Sequence, residues 1–136
     1  MKKIGIWIDK EKAHIVTMGK ATETLETIFS KVENYRPSGG SGTRFKGGPQ
    51  DVVQDSKYLE REKHQLKTYF KDVITKIMGA DAIAIFGPAE TKDKLRKEIS
   101  THHKTINQKV KATRTEDSMT DNQLRALVRD FYKNNS

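Results

Sequence analysis

The chain has 136 residues, enough for one domain built on a single core and too few for two. Only 34% of residues are hydrophobic against 32% charged, so the core is lean, and 26 Lys and Arg against 18 Asp and Glu give a net charge of +8 that suits a polyanionic partner: RNA, DNA or an anionic membrane surface. The absence of cysteine excludes disulfides and thiolate metal sites.

At the start of the chain, Ile4, Ile6 and Ile8 alternate with Gly5 and Trp7, which predicts a buried strand over residues 3–9. The apolar run stops at Asp9-Lys10-Glu11, too early for the core of a signal peptide, and no segment approaches the roughly 18 apolar residues of a membrane span. The expected location is therefore the cytoplasm. After the polar turn at Asp9–Lys12, Ala13 to Met18 reads as a second strand in a hairpin with the first. Leu25 to Val32 reads as a third, with Leu25, Thr27 and Phe29 on one face.

From Asn34 to about Ser56 the apolar periodicity disappears. This stretch holds five glycines and two prolines and includes Arg36, Gly39, Gly40, Ser41, Arg44, Phe45 and Lys46. A structureless loop of this length in a compact domain is usually functional or disordered. Glycines let a backbone approach a phosphate closely, the cations supply charge, and Phe45 can stack on an unpaired base.

Leu66, Tyr69, Phe70, Val73, Ile74 and Ile77 recur at helical spacing, which predicts a helix capped at Asp55 or Ser56 and ended by Gly79. Ala82 to Phe86 is a continuous apolar run closed by Gly87-Pro88, as in a strand buried on both faces. A helix from about Ala89 to Thr101 and a strand from Val110 to Arg114 follow. Thr120 and Gln123 then have capping-box spacing ahead of a last helix whose inner face is Leu124, Leu127, Val128 and Phe131. The order is β-β-β-α-β-α-β-α with no internal repeat. It predicts a single α/β domain over residues 1–136, with a mixed sheet of about five strands, helices on its faces and the last two strands parallel to the first.

That order, the "GGSGTRF" stretch after the third strand and "IAIFGPAETKDKL" at residues 83–95 resemble the ribonuclease H-like central domain of class 1 peptide-chain release factors of eukaryotes and archaea, and of Pelota. In the release factors a Gly-Gly-Gln loop sets its glutamine beside the ester bond of peptidyl-tRNA, where water attacks. Here Ser41 stands at that position, with a backbone N–H but no side-chain amide. Pelota also lacks the glutamine and still acts on ribosomes. The resemblance therefore implies a translation-associated protein that binds the ribosome, rRNA or tRNA without hydrolysis and without a cofactor, and leaves room for partner proteins. The competing reading is an enzyme, either a release-type peptidyl-tRNA hydrolase or a nuclease of the ribonuclease H type.

A second basic stretch, residues 92–114, carries Lys92, Lys94, Arg96, Lys97, Lys104, Lys109, Lys111 and Arg114 against only Asp93 and Glu98, an excess that favours phosphate contact. Adjacent His102 and His103 point in different directions on a helix and make a poor metal pair. The nuclease reading needs acids on the first strand, the following helix and the end of the fourth strand. Asp9 and Glu60 or Glu62 suit the first two places, but the fourth strand ends Phe86-Gly87-Pro88 and Asp81 lies at its other end. No catalytic residue and no metal ligand is assigned.

Overall fold

The computed structural model describes residues 2–20, 22–30 and 48–134. Strands β1 (Lys3–Ile8), β2 (Lys12–Met18), β3 (Glu23–Phe29), β4 (Ala82–Gly87) and β5 (Val110–Thr115) form one sheet in the order β3-β2-β1-β4-β5. The β1–β2 and β2–β3 pairs are antiparallel, and β4 and β5 run parallel to β1. The helices are α1 (Gly48–Ile77), α2 (Thr91–His102), the single turn α3 (Lys104–Asn107) and α4 (Asp121–Asn134). The expected element order holds, with α3 as one added turn. Among the described residues no helix is long and apolar enough to cross a membrane.

Everything is organised around β1, the central strand, because its pleat sends side chains into two cores. Ile4, Ile6 and Ile8 enter the first core with Ile83 and Ile85 of β4, the α1 stripe from Leu66 to Ile77, and Leu95 and Ile99 of α2. Trp7 enters the second with Val16, Ala84 and Phe86 and with Leu124, Val128, Phe131 and Tyr132 of α4. Each fully buried isoleucine contributes roughly 1.5–3 kcal/mol, so the three on β1 weigh heavily in a core this small.

The β1–β2 turn is made by Asp9, whose Oδ1 accepts the amides of Glu11 and Lys12, both at 2.8 Å. Ser30 ties the end of β3 to this turn. Its amide donates to the Glu11 carbonyl at 2.8 Å, and its hydroxyl donates to the Lys10 carbonyl at 2.6 Å. On the opposite side of the sheet, the capping box of α4 forms as expected. The Gln123 amide donates to Thr120 Oγ1 at 3.2 Å, and the Thr120 amide donates to Gln123 Oε1 at 2.9 Å.

Beyond shifts of a residue or two, two boundaries and one pairing register differ from the sequence reading. The helix α1 begins at Gly48, not at Asp55 or Ser56, so residues 48–56 belong to a helix and not to the loop. Pro49 suits a first helical turn, since its fixed φ is close to helical and its missing N–H has no partner there to lose. A reading based on apolar periodicity starts from Leu66 to Ile77 and reaches back only to the nearest cap candidate. The strand β3 runs from Glu23 and stops at Phe29, where Ser30 turns onto the hairpin tip; Val32 lies outside the described residues. In β5 the pairing slips between Ile83↔Val110 and Ala84↔Ala112. This bulge at Lys111 puts Val110 against the first core and Ala112 against the second, although they are two residues apart.

Candidate nucleic-acid interface

Arg36, Gly39, Gly40, Ser41, Arg44, Phe45 and Lys46 lie outside the described residues. The remaining eight cations are distributed by α2, α3 and β5.

Lys92 is engaged within the fold. It is only 6% exposed, and its ammonium donates to the Ala89 carbonyl at 2.5 Å and sits 3.2 Å from Asp93 Oδ2. A lysine held this way closes the Gly87–Glu90 turn and offers little to an outside phosphate. Arg96 is half-buried and bridges three elements, with Nε donating to Asn107 Oδ1 at 2.9 Å and a terminal nitrogen donating to Thr113 Oγ1 at 3.3 Å. Its first duty is to fix α3 and β5 against α2. Arg114 projects on the other side of the sheet, where its guanidinium stacks 4.9 Å from the centre of the Phe131 ring.

Lys94, Lys97, Lys104 and Lys111 are exposed, and Lys109 is half-buried. Lys94 and Lys97 are three residues apart and share a helical face. The basic stretch is therefore several surfaces: an exposed lysine pair on α2, further cations on the α3–β5 connection, and Arg114 over α4.

Sequence reading missed the neighbours that α1 brings to this region. A groove of about 490 Å³ lies between α1 and α2, where Lys63 and Lys67 of α1 line it together with Lys94 and His102 of α2 and with the acids Glu62 and Glu98. The signal was present in part: Lys63 and Lys67 have i,i+4 spacing beside the apolar stripe. That they face α2 is a tertiary fact.

The carboxylates do not converge. Asp9 is occupied by the turn amides, and Glu62 lies 3.1 Å from the Lys10 ammonium. Glu60 is exposed, and Asp81 accepts the Lys2 amide at 2.6 Å at the far end of β4. At the near end, a Cβ on Gly87 would collide with the Ile8 carbonyl, so β1 and β4 meet there without room for a side chain. Among the described residues no group of three His, Asp or Glu is placed to hold a metal ion.

Two tyrosines and one histidine depart from ordinary titration. Tyr69 donates to the Asp9 carbonyl at 3.0 Å and Tyr132 to the Ile4 carbonyl at 2.6 Å. Burial pushes both phenols above their usual range, with the nearby Asp9 charge adding to the effect at Tyr69. His14 lies 2.8 Å from Thr27 Oγ1 through Nδ1 and beside the Trp7 ring; burial holds its pKa below 6.5, and the nearby Asp121 charge opposes this in part.

No protein-family model matches the chain, and no curated protein matches it by sequence. Solved structures do match. The sheet is that of a ribonuclease H-like fold. Archaeoglobus fulgidus Pelota superposes with a TM-score of 0.57 at 7% identity, over 95% of this chain and 31% of its own. Thermoplasma acidophilum Pelota gives 0.54 at 13% identity, over 90% of this chain and 30% of its own. The archaeal translation termination factor aRF1 gives 0.51 at 8% identity, over 97% of this chain and 38% of its own. The chain thus spans about a third of these proteins, the extent of one domain. At such identities the likeness is one of fold.

Proposed function

We propose that this domain acts in translation by binding the ribosome or a structured RNA, with the glycine-rich stretch from Arg36 to Lys46 and the exposed lysines of α2 as its contacts, and without hydrolysing what it binds. The observation that carries this reading is a fold match over nearly the whole chain that includes a translation termination factor. The net charge of +8 and the exposed pair Lys94 and Lys97 support it. Ser41 supports the absence of chemistry: a lone hydroxyl with no base beside it in the sequence is a poor nucleophile at neutral pH.

Sedimentation of tagged protein through sucrose gradients at two salt concentrations tests the binding. We expect co-migration with ribosomal particles at low salt and release at high salt. Lys94→Glu with Lys97→Glu should weaken the association and reduce the salt dependence by about one unit of slope for each phosphate that is no longer neutralised. Arg96 is left intact because its loss would disturb α3 and β5. Free migration of the wild type at low salt would sink the reading. Release of labelled peptide from programmed ribosomes tests the chemistry, and efficient release abolished by Ser41→Ala would make the protein an enzyme.

A further inference from the structure

The sheet has two edges, and they are not alike. At β5 the pairing is broken by the bulge at Lys111, and Lys111 and Arg114 stand exposed along the strand. Bulges and cations are ordinary means of keeping a further strand off an edge. At β3 neither is present. Its seven residues pair with β2 in unbroken register and include no lysine, arginine, proline or glycine.

The ladder fixes which backbone groups of β3 face outward. The Gly19 amide donates to the Thr22 carbonyl and the Ser30 amide to the Glu11 carbonyl, so Thr22 and Ser30 lie in hydrogen-bonded pairs with the neighbouring chain. Such pairs alternate along an antiparallel ladder, which assigns the backbone groups of Thr24, Glu26 and Ile28 to the β2 side. The N–H and C=O groups of Glu23, Leu25, Thr27 and Phe29 therefore point away from the sheet, and among the described residues nothing pairs with them. The two glutamates do not guard this edge, because each is answered within its own chain. Glu23 lies 3.6 Å from Arg129, and Glu26 lies 3.2 Å from Lys76. Phe29, at the end of the edge, is 70% exposed.

The strand is complementary to itself. Two copies related by a two-fold axis normal to the sheet set their β3 strands antiparallel, with residues of the same face opposite each other. Centred on Glu26, such a pairing opposes two carboxylates, which is unfavourable. Centred on Leu25, it leaves Phe29 beyond the shared strand. Centred on Thr27, it sets threonine on threonine, covers each Phe29 with Leu25 of the other copy and opposes no like charges. We propose that a second copy of this chain adds its β3 to this edge, with Thr27 opposite Thr27 and Leu25 opposite Phe29, and continues the sheet through both copies. Every one of these pairs uses backbone groups that face outward in the single chain. The interface is separate from the RNA contacts proposed above.

Sedimentation equilibrium of the full chain over a hundredfold range of concentration tests the association, and we expect a monomer–dimer equilibrium. Phe29→Lys changes an exposed side chain, so it should raise the dimer dissociation constant at least tenfold and leave the thermal midpoint of the dilute protein unchanged. The register is read by cross-linking. The chain has no cysteine, so each introduced thiol is unique. Residues opposite each other in a hydrogen-bonded antiparallel pair have Cα atoms about 5.5 Å apart, within the range that a disulfide spans. Mild oxidation should therefore link Thr27→Cys into a covalent dimer and leave Leu25→Cys and Glu26→Cys unlinked. A monomer at every concentration, undiminished association of Phe29→Lys, or linking through Leu25→Cys or Glu26→Cys in place of Thr27→Cys would each overturn the proposal. None of these changes touches α2 or the Arg36–Lys46 stretch, so ribosome co-sedimentation and dimerisation can fail independently.

Discussion

The two faces of the sheet are closed by different means. Under α1 and α2 the core is mostly aliphatic and large, with isoleucines from β1, β2 and β4 meeting apolar side chains from two helices. Under α4 one helix of 14 residues does the work, and its contacts have direction. Phe131 meets Phe86 and Tyr132 edge-on, at 5.9 Å and 5.0 Å between ring centres. The Trp7 indole N–H donates to the Glu116 and Asp117 carbonyls, at 3.1 Å and 3.2 Å, and fixes the connection that leads into the helix. Burial of many interchangeable methyl groups tolerates small shifts. A single helix seated by rings, hydrogen bonds and one close approach depends on fewer positions, and each of them matters more.

The largest expected effect comes from a position that serves both faces. A Cβ at Gly87 would run into the Ile8 carbonyl, and backbone cannot move aside as a side chain can. We expect Gly87→Ala to cost about 3 kcal/mol or more, lowering the thermal midpoint by roughly 10 °C in a domain of this size. A midpoint within about 2 °C of wild type would mean that β1 and β4 can part there cheaply.

Next comes a change confined to the α4 face. Gly5 lies under Val128, whose Cγ1 would stand 2.8 Å from an added Cβ, with Cγ2 closer still. Here the obstacle is a side chain, so Gly5→Ala should cost about 1–3 kcal/mol, and Val128→Ala should relieve part of it. Urea unfolding of both single variants and the double variant reads this directly. The double variant should be less destabilised than the two singles added together. Strict additivity would show that the helix is seated by its rings and not by the glycine.

How far such features were legible in the sequence depended on whether they were local. The period-2 isoleucines of β1, the all-apolar β4 and the Thr120–Gln123 box are each fixed by residues within a turn or a strand of one another, and all three form. Charge counting over residues 92–114 joined cations that the fold separates: Lys92 turns inward, Arg96 braces α3 and β5, and Arg114 crosses to the other face. The bulge at Lys111 carries no glycine or proline to announce it. The groove between α1 and α2 pairs residues about 30 positions apart, which only the packing of α1 beside α2 brings together. The first residues of α1 escaped because residues 48–56 carry no apolar periodicity of their own to mark a helix.

A smaller effect compares the two tyrosines that fasten a helix from each face to the backbone of β1. Both rings are buried, but the Tyr132 bond to the Ile4 carbonyl is itself buried and short, at 2.6 Å. Tyr69 bonds the Asp9 carbonyl at the strand's end, where the bond is partly buried. Removal of either hydroxyl leaves the ring packing in place, so the loss is that of one hydrogen bond, about 0.5–1.5 kcal/mol. Tyr132→Phe should fall at the upper end and Tyr69→Phe at the lower. The reverse order in urea unfolding would place the tighter attachment on the α1 side.

The smallest expected effect is a pH dependence that belongs to the α4 face alone. His14 sits on that side of β2 against Trp7 and Thr27. Burial is the main cause of its lowered pKa, Lys12 lowers it further, and Asp121 and Asp9 pull the other way. The folded state thus gives up its proton at lower pH than the unfolded chain, whose ordinary value is 6.5. Above that value both states hold neutral imidazole and the stability is complete. As pH falls below it the unfolded chain takes up protons first, and stability is lost until the folded state is protonated as well. His14→Gln keeps a group able to bond Thr27 but removes the titration. Urea unfolding at pH 7.5 and pH 5.5 should therefore show a larger drop for wild type than for His14→Gln, by some tenths of a kcal/mol to about 1 kcal/mol. The other three histidines, two of them exposed and His103 half-buried, are common to both proteins and cancel in the difference. Equal drops in the two proteins would show that the α4 face admits a charged His14 without cost, and that Asp121 compensates its burial in full.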